Sequence, residues 1–296
     1  MIRKAAIPVA GIGSRLLPLT KALPKEMLPI LDKPVLQRTV EELALSGIED
    51  ITIVISGKKQ LIQQHFAPDE DLEMRLRAEG KDGYADELRR LSSLARITYV
   101  YQDGPYGNGT PVLNAARVIG DEPFLVVWGD DVFTSSVPRA RQLVEAFEST
   151  NAPVIGLMTV APEEVSRYGM AMVSEDTGDP TVRVTGLVEK PAPDRTPSLY
   201  ASIGGYVVTP AIVDSLRSRV KDHSRDDGEV YLSAAVDECA RTGRLYGRVI
   251  DATWWDTGNP TGYLLAQVAA ALKHPEFGPE IRKLFIESQD PSGPRE

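Results

Sequence analysis

The chain has 296 residues, with 33 Lys and Arg against 42 Asp and Glu, and a formal net charge of −9. That length allows one large α/β domain with a sizeable buried core, and the acidic balance argues against general nucleic-acid binding while leaving room for an anionic small substrate in a local basic pocket. A single cysteine, Cys239, excludes an intramolecular disulfide and suits a reducing compartment, and neither a leader-like N-terminus nor a run of about 18 apolar residues is seen, so no membrane span is expected and the cytoplasm is the default.

In chain order, "KAAIPVA" predicts a first buried strand that breaks into "GIGSRL". "PVLQRTVEELALSG" has helical periodicity, with Pro34 placed to open it and Gly47 to close it. "DITIVIS" is a second strand and "KKQLIQQHF" a short helix. From Asp69 to Leu94 a charged segment carries Leu72, Leu76, Leu88 and Leu91 at helical spacing, a surface insertion broken at Gly80 and Gly83. "RITYVYQ", "PFLVVWGDD" and "APVIGLMTV" are further strands, separated by the helices "TPVLNAARVIG" and "ARQLVEAFEST". Near-continuous apolar strands alternating with helices indicate a parallel sheet covered on both faces. Such sheets place ligands at the carboxyl ends of their strands. Three loops that follow strands, at Gly11–Arg15, Gln102–Thr110 and Asp130–Asp131, are therefore expected at one edge. After Val160 shorter strands mix with helices, a mixed second half on the same sheet, and a last helix near "GPEIRKLFIES" precedes the tail "QDPSGPRE". The fold class expected is α/β, with a mixed, mostly parallel central sheet flanked by helices.

The loop after the first strand matches neither common phosphate motif. "GIGSRL" has only the first two glycines of a dinucleotide fingerprint, and no Gly-Lys-Ser/Thr follows as in a P-loop. Its glycines still let backbone N–H groups approach a phosphate, and Arg15 and Lys25 add a fork and a point charge suited to a triphosphate. The loop alone fits a plain strand turn with solvated cations equally well. Two acids shift the balance: Asp130 ends the strand "VVWGD", and Asp256 follows a short apolar run in "DATWWDTGNP". Carboxylates at strand ends beside cations suit a hard divalent ion such as Mg2+, which takes one or two protein carboxylates and completes its shell with phosphates and water. "GLVEKPA" adds Glu189 for sugar hydroxyls and Lys190 for a second phosphate, each of which also fits a surface strand end. His65, His223 and His274 lie in polar contexts away from these loops, so a covalent hydrolase mechanism has little support.

"PVAGIGSRLLPLTKALPKEMLPILDKP" resembles the signature of bacterial UTP–glucose-1-phosphate uridylyltransferases (UDP-glucose pyrophosphorylases), of the sugar-nucleotidyltransferase superfamily. The likeness continues more sparsely through "GIEDITIVIS", "VEKP", "GEVYLS" and "WDTGNP". It implies a Rossmann-like nucleotidyltransferase fold in a single domain over 1–273, with a nucleotide-binding half at about 1–160 and a sugar-phosphate half at about 161–273, followed by a helix and tail at 274–296. It implies that UTP and glucose 1-phosphate give UDP-glucose and pyrophosphate, with Mg2+ and without a covalent intermediate, in a homo-oligomer. Position by position, Ala10, Gly11 and Gly13 match the nucleotide loop, Arg15 and Lys25 the triphosphate cations, and Glu26 a base-side residue. Gln102 and Gly107 match the base-contacting loop, Asp130 and Asp256 the metal aspartates, and Gly169, Glu189, Lys190 and Gly204 the sugar-phosphate pocket. Lys21 has no assigned role.

The sequence departs from the uridylyl pattern at three places. "WGDD" is closer to the Gly-Asp of the thymidylyl branch than to Pro-Asp. Tyr106 and Thr110–Pro111 stand where Lys and His-Ala are usual, and Ala234 stands where Asp is usual. A thymidylyltransferase using dTTP and a hexose 1-phosphate is therefore the alternative within the superfamily. A non-catalytic nucleotide-sugar-binding regulator is the alternative outside it, and its expected signature, loss of Lys25, Asp130 or Asp256, is absent.

Overall fold

A computed structural model describes residues 1–57, 59–174, 178–196, 198–223 and 228–288. The tail expected beyond residue 288 lies outside them. The first half carries β1 (Lys4–Pro8), a ribbon of β2 (Pro29–Ile30) and β3 (Lys33–Pro34), α1 (Val35–Leu45), β4 (Asp50–Ile55), α2 (Gln60–Phe66), α3 (Glu70–Ala78), α4 (Asp82–Ser92), β5 (Arg96–Tyr101), α5 (Gly109–Ile119), β6 (Phe124–Val126), β7 (Asp131–Thr134), α6 (Arg139–Thr150) and β8 (Val154–Thr159). The second carries β9 (Gly169–Val173), β10 (Thr181–Glu189), β11 (Tyr200–Val208), α7 (Pro210–Lys221), α8 (Leu232–Arg241), β12 (Leu245–Val249), β13 (Thr253–Asp256), α9 (Pro260–Lys273) and α10 (Gly278–Ser288).

The main sheet runs β5-β4-β1-β6-β11-β8-β12-β10-β9. β5, β4, β1 and β6 are mutually parallel, so the loops after β1, β5 and β6 leave from the same edge, as the alternation of strands and helices required. β9, β10 and β11 run antiparallel to their neighbours and make the second half mixed. Alternation along β1 shows why the sheet is buried on both sides. Ala6 faces a core with α5, α7 and α8, whereas Ala5 and Ile7 face a core with α1, α2 and α6.

Local chemistry explains the element ends. α1 stops where the N–H of Gly47 (φ 87°) bonds Ala44 O at 3.0 Å and that of Ile48 bonds Leu43 O at 3.1 Å, a glycine-dependent cap. The insertion is a helical pair whose break falls at Glu79–Lys81, with Gly80 at φ 72°. The expectation that Gly83 also breaks it is corrected: Gly83 lies in the first turn of α4, where a glycine is tolerated.

β11 is the hinge of the architecture. Its register against β8 shifts between Ser202 and Tyr206, where Gly204 and Gly205 take φ of 111° and 117°. β8 occupies one edge of β11; on the other, β6 pairs with Tyr206–Val208 and β9 with Ala201. β9 therefore follows β6 along the same edge, which brings Gly169 and its β10 partner Glu189 alongside the end of β6. No described helix is long and apolar enough to cross a membrane.

Candidate active site

β7 and β13 form a separate two-stranded ribbon, pairing Asp131 with Asp256, Val132 with Trp255 and Thr134 with Thr253. This ribbon is the feature the sequence did not announce, and it brings Asp256 to Asp130. Asp130 O accepts from Thr257 N at 3.1 Å and Thr257 Oγ1 at 2.6 Å. Asp256 Oδ1 accepts from Gly258 N at 3.0 Å. A Cβ at Gly258 would lie 2.5 Å from Asp130 Oδ2 and 3.0 Å from Asp256 Oδ1, so both carboxylates crowd one point that only glycine leaves open. Asn259 then caps α9 by accepting from Gly262 N at 2.9 Å, which fixes the turn behind the two acids.

The loop after β1 meets these acids through Lys25, whose Nζ pairs with Asp130 Oδ2. Burial alone would pull the Lys25 pKa down, but Asp130, Glu26 and Asp131 outweigh it and raise it, so the ammonium stays charged. Gly13 (φ 68°) folds the loop back; its carbonyl accepts from Thr20 Oγ1 at 2.8 Å, and a Cβ there would lie 3.3 Å from Lys25 Cβ. Gly11 is exposed with open space around it, Ala10 is half-buried, and Arg15 sits exposed on a short turn without an ion pair to any described residue. Lys21 is exposed in the next short turn, Leu19–Lys21.

Glu26 takes a different position from its neighbour. It is 1% exposed, and both its oxygens bind Lys59 Nζ, at 2.9 and 2.7 Å. Burial pushes the Glu26 carboxyl up, while Lys59 and Lys25 pull against it; burial likewise lowers the Lys59 pKa. Glu26 thus props the Lys25 turn from beneath instead of facing the site surface. Lys59 is a residue sequence reasoning missed, since nothing in "GKKQ" marks one lysine as buried. Removing one partner of a buried pair leaves an uncompensated charge, so Lys59→Met is expected to cost about 3–5 kcal/mol, with most of it recovered in Lys59→Met/Glu26→Leu. Urea unfolding of both variants measures this; equal stability of Lys59→Met and wild type would refute it.

Asp131 has a different partner from Asp130, which pairs with Lys25. Asp131 Oδ1 accepts from Trp254 Nε1 at 2.9 Å, cross-bracing the ribbon. Although part of the residue is exposed, burial of the carboxyl group pushes its pKa up to about 7, with Asp130 adding and Arg139 opposing. Arg139 is itself 0% exposed, paired with Glu42 at 3.2 Å and stacked 4.2 Å over the Phe133 ring.

Gln102 follows β5, and its N–H donates to Ile55 O at 2.9 Å. Gly107 (φ 135°) needs its missing side chain for packing, because a Cβ would strike the Val230 backbone. Thr110, at the position where the sequence departs from the uridylyl pattern, is buried and donates Oγ1–H to Pro105 O at 2.6 Å, closing the loop on itself. On the far side, Gly169 pairs with Glu189, and a Cβ at Gly169 would lie 3.2 Å from Glu189 Oε2. Lys190 (φ 45°) donates its N–H to Tyr168 O at 3.0 Å, and Tyr168 stacks edge-on against Trp254 at 5.6 Å. That contact ties the Glu189–Lys190 end to the Asp256 ribbon. Gly204 leaves room for Ile250 and Phe133, at 3.3 and 3.7 Å from a hypothetical Cβ.

Asp130 and Asp256 together offer oxygen donors only, at one point, beside a lysine. No cluster of three or more His, Cys, Asp or Glu side chains able to hold a metal occurs among the described residues. That donor set fits a hard divalent ion completed by phosphate and water, and does not fit zinc.

A model of the nucleotidyl transferase family matches residues 4–272. The chain belongs to the nucleotidyl transferase family. This nucleotidyl transferase is 41% identical over 281 residues, 95% of its length and 93% of the relative's, to the UTP–glucose-1-phosphate uridylyltransferase YngB of Bacillus subtilis (strain 168). Among solved structures, a UDP-glucose pyrophosphorylase from Acinetobacter baumannii superposes with a TM-score of 0.87 at 29% identity, covering 98% of this chain and 100% of that one. A UTP-bound form from the same organism also gives 0.87 at 29% identity, covering 97% and 99%.

Proposed function

We propose that this transferase moves a uridylyl group from UTP to glucose 1-phosphate, giving UDP-glucose and pyrophosphate. The observation that carries the reading is the meeting of Lys25, Asp130 and Asp256 at the loop after β1, in a chain 41% identical to a protein named for that reaction. The sugar phosphate oxygen attacks the α-phosphorus in line and pyrophosphate leaves, so the protein's task is positioning and neutralisation of charge. Ala10, Gly11 and Gly13 present the backbone to the nucleotide, with Gln102 and Gly107 on the base side. Glu26 serves that side by holding the loop through Lys59. Arg15 and Lys25 hold the departing pyrophosphate. Lys190 anchors the attacking phosphate, Glu189 accepts sugar hydroxyls beside Gly169, and Gly204 forms part of the pocket wall with Ile250 and Phe133 packed close against it. Asp130 and Asp256 would hold Mg2+, which when bound neutralises phosphate charge. In this reading residues 1–160 form the nucleotide half and 161–273 the sugar-phosphate half of one domain, working in the cytoplasm.

Pyrophosphate release from UTP, dTTP, ATP and GTP against several sugar 1-phosphates tests the reading. Preferred turnover of UTP with glucose 1-phosphate is expected. Preference for dTTP would move the chain to the thymidylyl alternative, and tight UDP-glucose binding without any pyrophosphate release would make it a regulator.

The same reading includes self-association. α9 buries little beyond Ala266 against Ile30 and Val35, while Leu264 and Leu265 are 61% and 51% exposed and Ile286 of α10 is 73% exposed. Light scattering is expected to give a mass at least twice that of one chain, falling on Leu264→Asp/Ile286→Asp; a monomeric wild type would refute it.

A further inference from the structure

The end of β10, which carries Glu189 and leads into Lys190, is held by a residue from another part of the chain. β10 pairs with β12 only over Thr181–Val184, and its register against β9 shifts between Val184 and Gly186. Beyond that bulge no strand among the described residues lies on the β12 side of β10. The Leu187 N–H, two residues before Glu189, donates instead to Asp237 Oδ1 of α8 at 2.9 Å. Gly186 makes this possible: a Cβ there would lie 3.3 Å from Asp237 Oδ1 and 3.2 Å from Met172 Sδ. The other oxygen of Asp237 pairs with Arg241 at 2.8 Å, but Arg241 is 76% exposed and such a pair contributes little.

The N-terminal end of α8 is tied to the opposite side of the site. Val230 N–H donates to Tyr106 O and Gly109 N–H to Val230 O, both at 2.9 Å, and Leu232 N–H donates to Asn108 Oδ1 at 2.8 Å. One helix therefore touches both the loop after β5 and the strand that ends at Glu189.

We propose that Asp237 is a positioning residue: by accepting the Leu187 amide it fixes the end of β10, and so sets Glu189 and Lys190 against the sugar phosphate. An edge amide without this acceptor is free to slip or to turn to water, and small displacements of positioning groups are costly in catalysis. The proposal rests on the uridylyl-transfer reading for its substrate and on the Asp237–Leu187 contact for its mechanism.

Steady-state kinetics and amide exchange on Asp237→Ala and Asp237→Asn test it. Alanine is expected to raise KM for glucose 1-phosphate about tenfold while leaving KM for UTP essentially unchanged. Asparagine keeps the carbonyl acceptor and is expected to restore the wild-type KM. Exchange over residues 185–190 is expected to speed up in the alanine variant and not in the asparagine variant, with β1 and β4 unaffected. Should Asp237→Ala fail to fold, Gly186→Ala presses a methyl onto the same carboxylate and is expected to raise the same KM. Equal shifts in both KM values, a fall in kcat alone, or unaltered exchange over 185–190 would overturn the proposal. A wild-type protein that releases no pyrophosphate from UTP and glucose 1-phosphate would overturn the transfer reading alone, since the exchange comparison still decides what Asp237 does.

Discussion

Lys25→Ala is expected to lower kcat/KM for pyrophosphate release by roughly 10²–10³-fold. Lys25 is only 20% exposed and is held charged by Asp130, Glu26 and Asp131, so its ammonium stands ready at a fixed place. A preorganised charge needs no rearrangement when the pyrophosphate develops, which is why its removal shows in rate. Lys25→Met keeps the aliphatic stem and is expected to lose the same activity with smaller change in unfolding midpoint. Lys25→Arg is expected to recover part of the rate, since the charge is kept but the planar fork differs in reach. Single-turnover measurements with saturating UTP separate lost chemistry from lost binding. Wild-type turnover in Lys25→Met would remove Lys25 from the mechanism.

The second large effect is expected at Asp130. Asn at this position removes one of the two carboxylates that converge beside Gly258, and at the same time removes the charge partner of Lys25. Activity at saturating Mg2+ is expected to fall by about 10²–10³-fold, and the Mg2+ concentration giving half-maximal rate is expected to rise. Asp256→Asn is expected to shift the metal dependence in the same direction but to leave Lys25 paired, so its fall in rate is the smaller of the two. Calorimetric titration with Mg2+ in the presence of UTP reads the metal site without turnover. Undiminished, Mg2+-dependent activity in Asp130→Asn would dismiss the proposed role.

These two predictions rest on residues that differ in how readable they were. Lys25 and Asp130 stand out in sequence because each closes a strand-and-loop unit whose chemistry is local. Glu26 and Lys59 illustrate the opposite. Adjacent to Lys25 and of opposite charge, Glu26 looks from the sequence like another site residue, yet it is buried against Lys59, the residue that precedes α2. No local pattern tells a surface carboxylate from one whose partner arrives from 33 positions away. Gly107 likewise looks like a glycine for a ligand, whereas its immediate steric neighbour is the Val230 backbone.

The alternating apolar strands and helices of the first 160 residues determined the parallel sheet and the edge where its loops gather, because periodicity and strand-end position are encoded within a few residues. The tertiary structure alone decided three further matters. The β7–β13 ribbon joins Asp131 to Asp256, the exchange of β6 for β9 along β11 delivers Glu189 to the same edge, and the Asp237 contact holds β10. Each is a pairing between segments far apart in the chain, specified by the backbone groups and side-chain volumes that meet only after folding. A one-dimensional pattern carries no record of which distant strand will satisfy an edge.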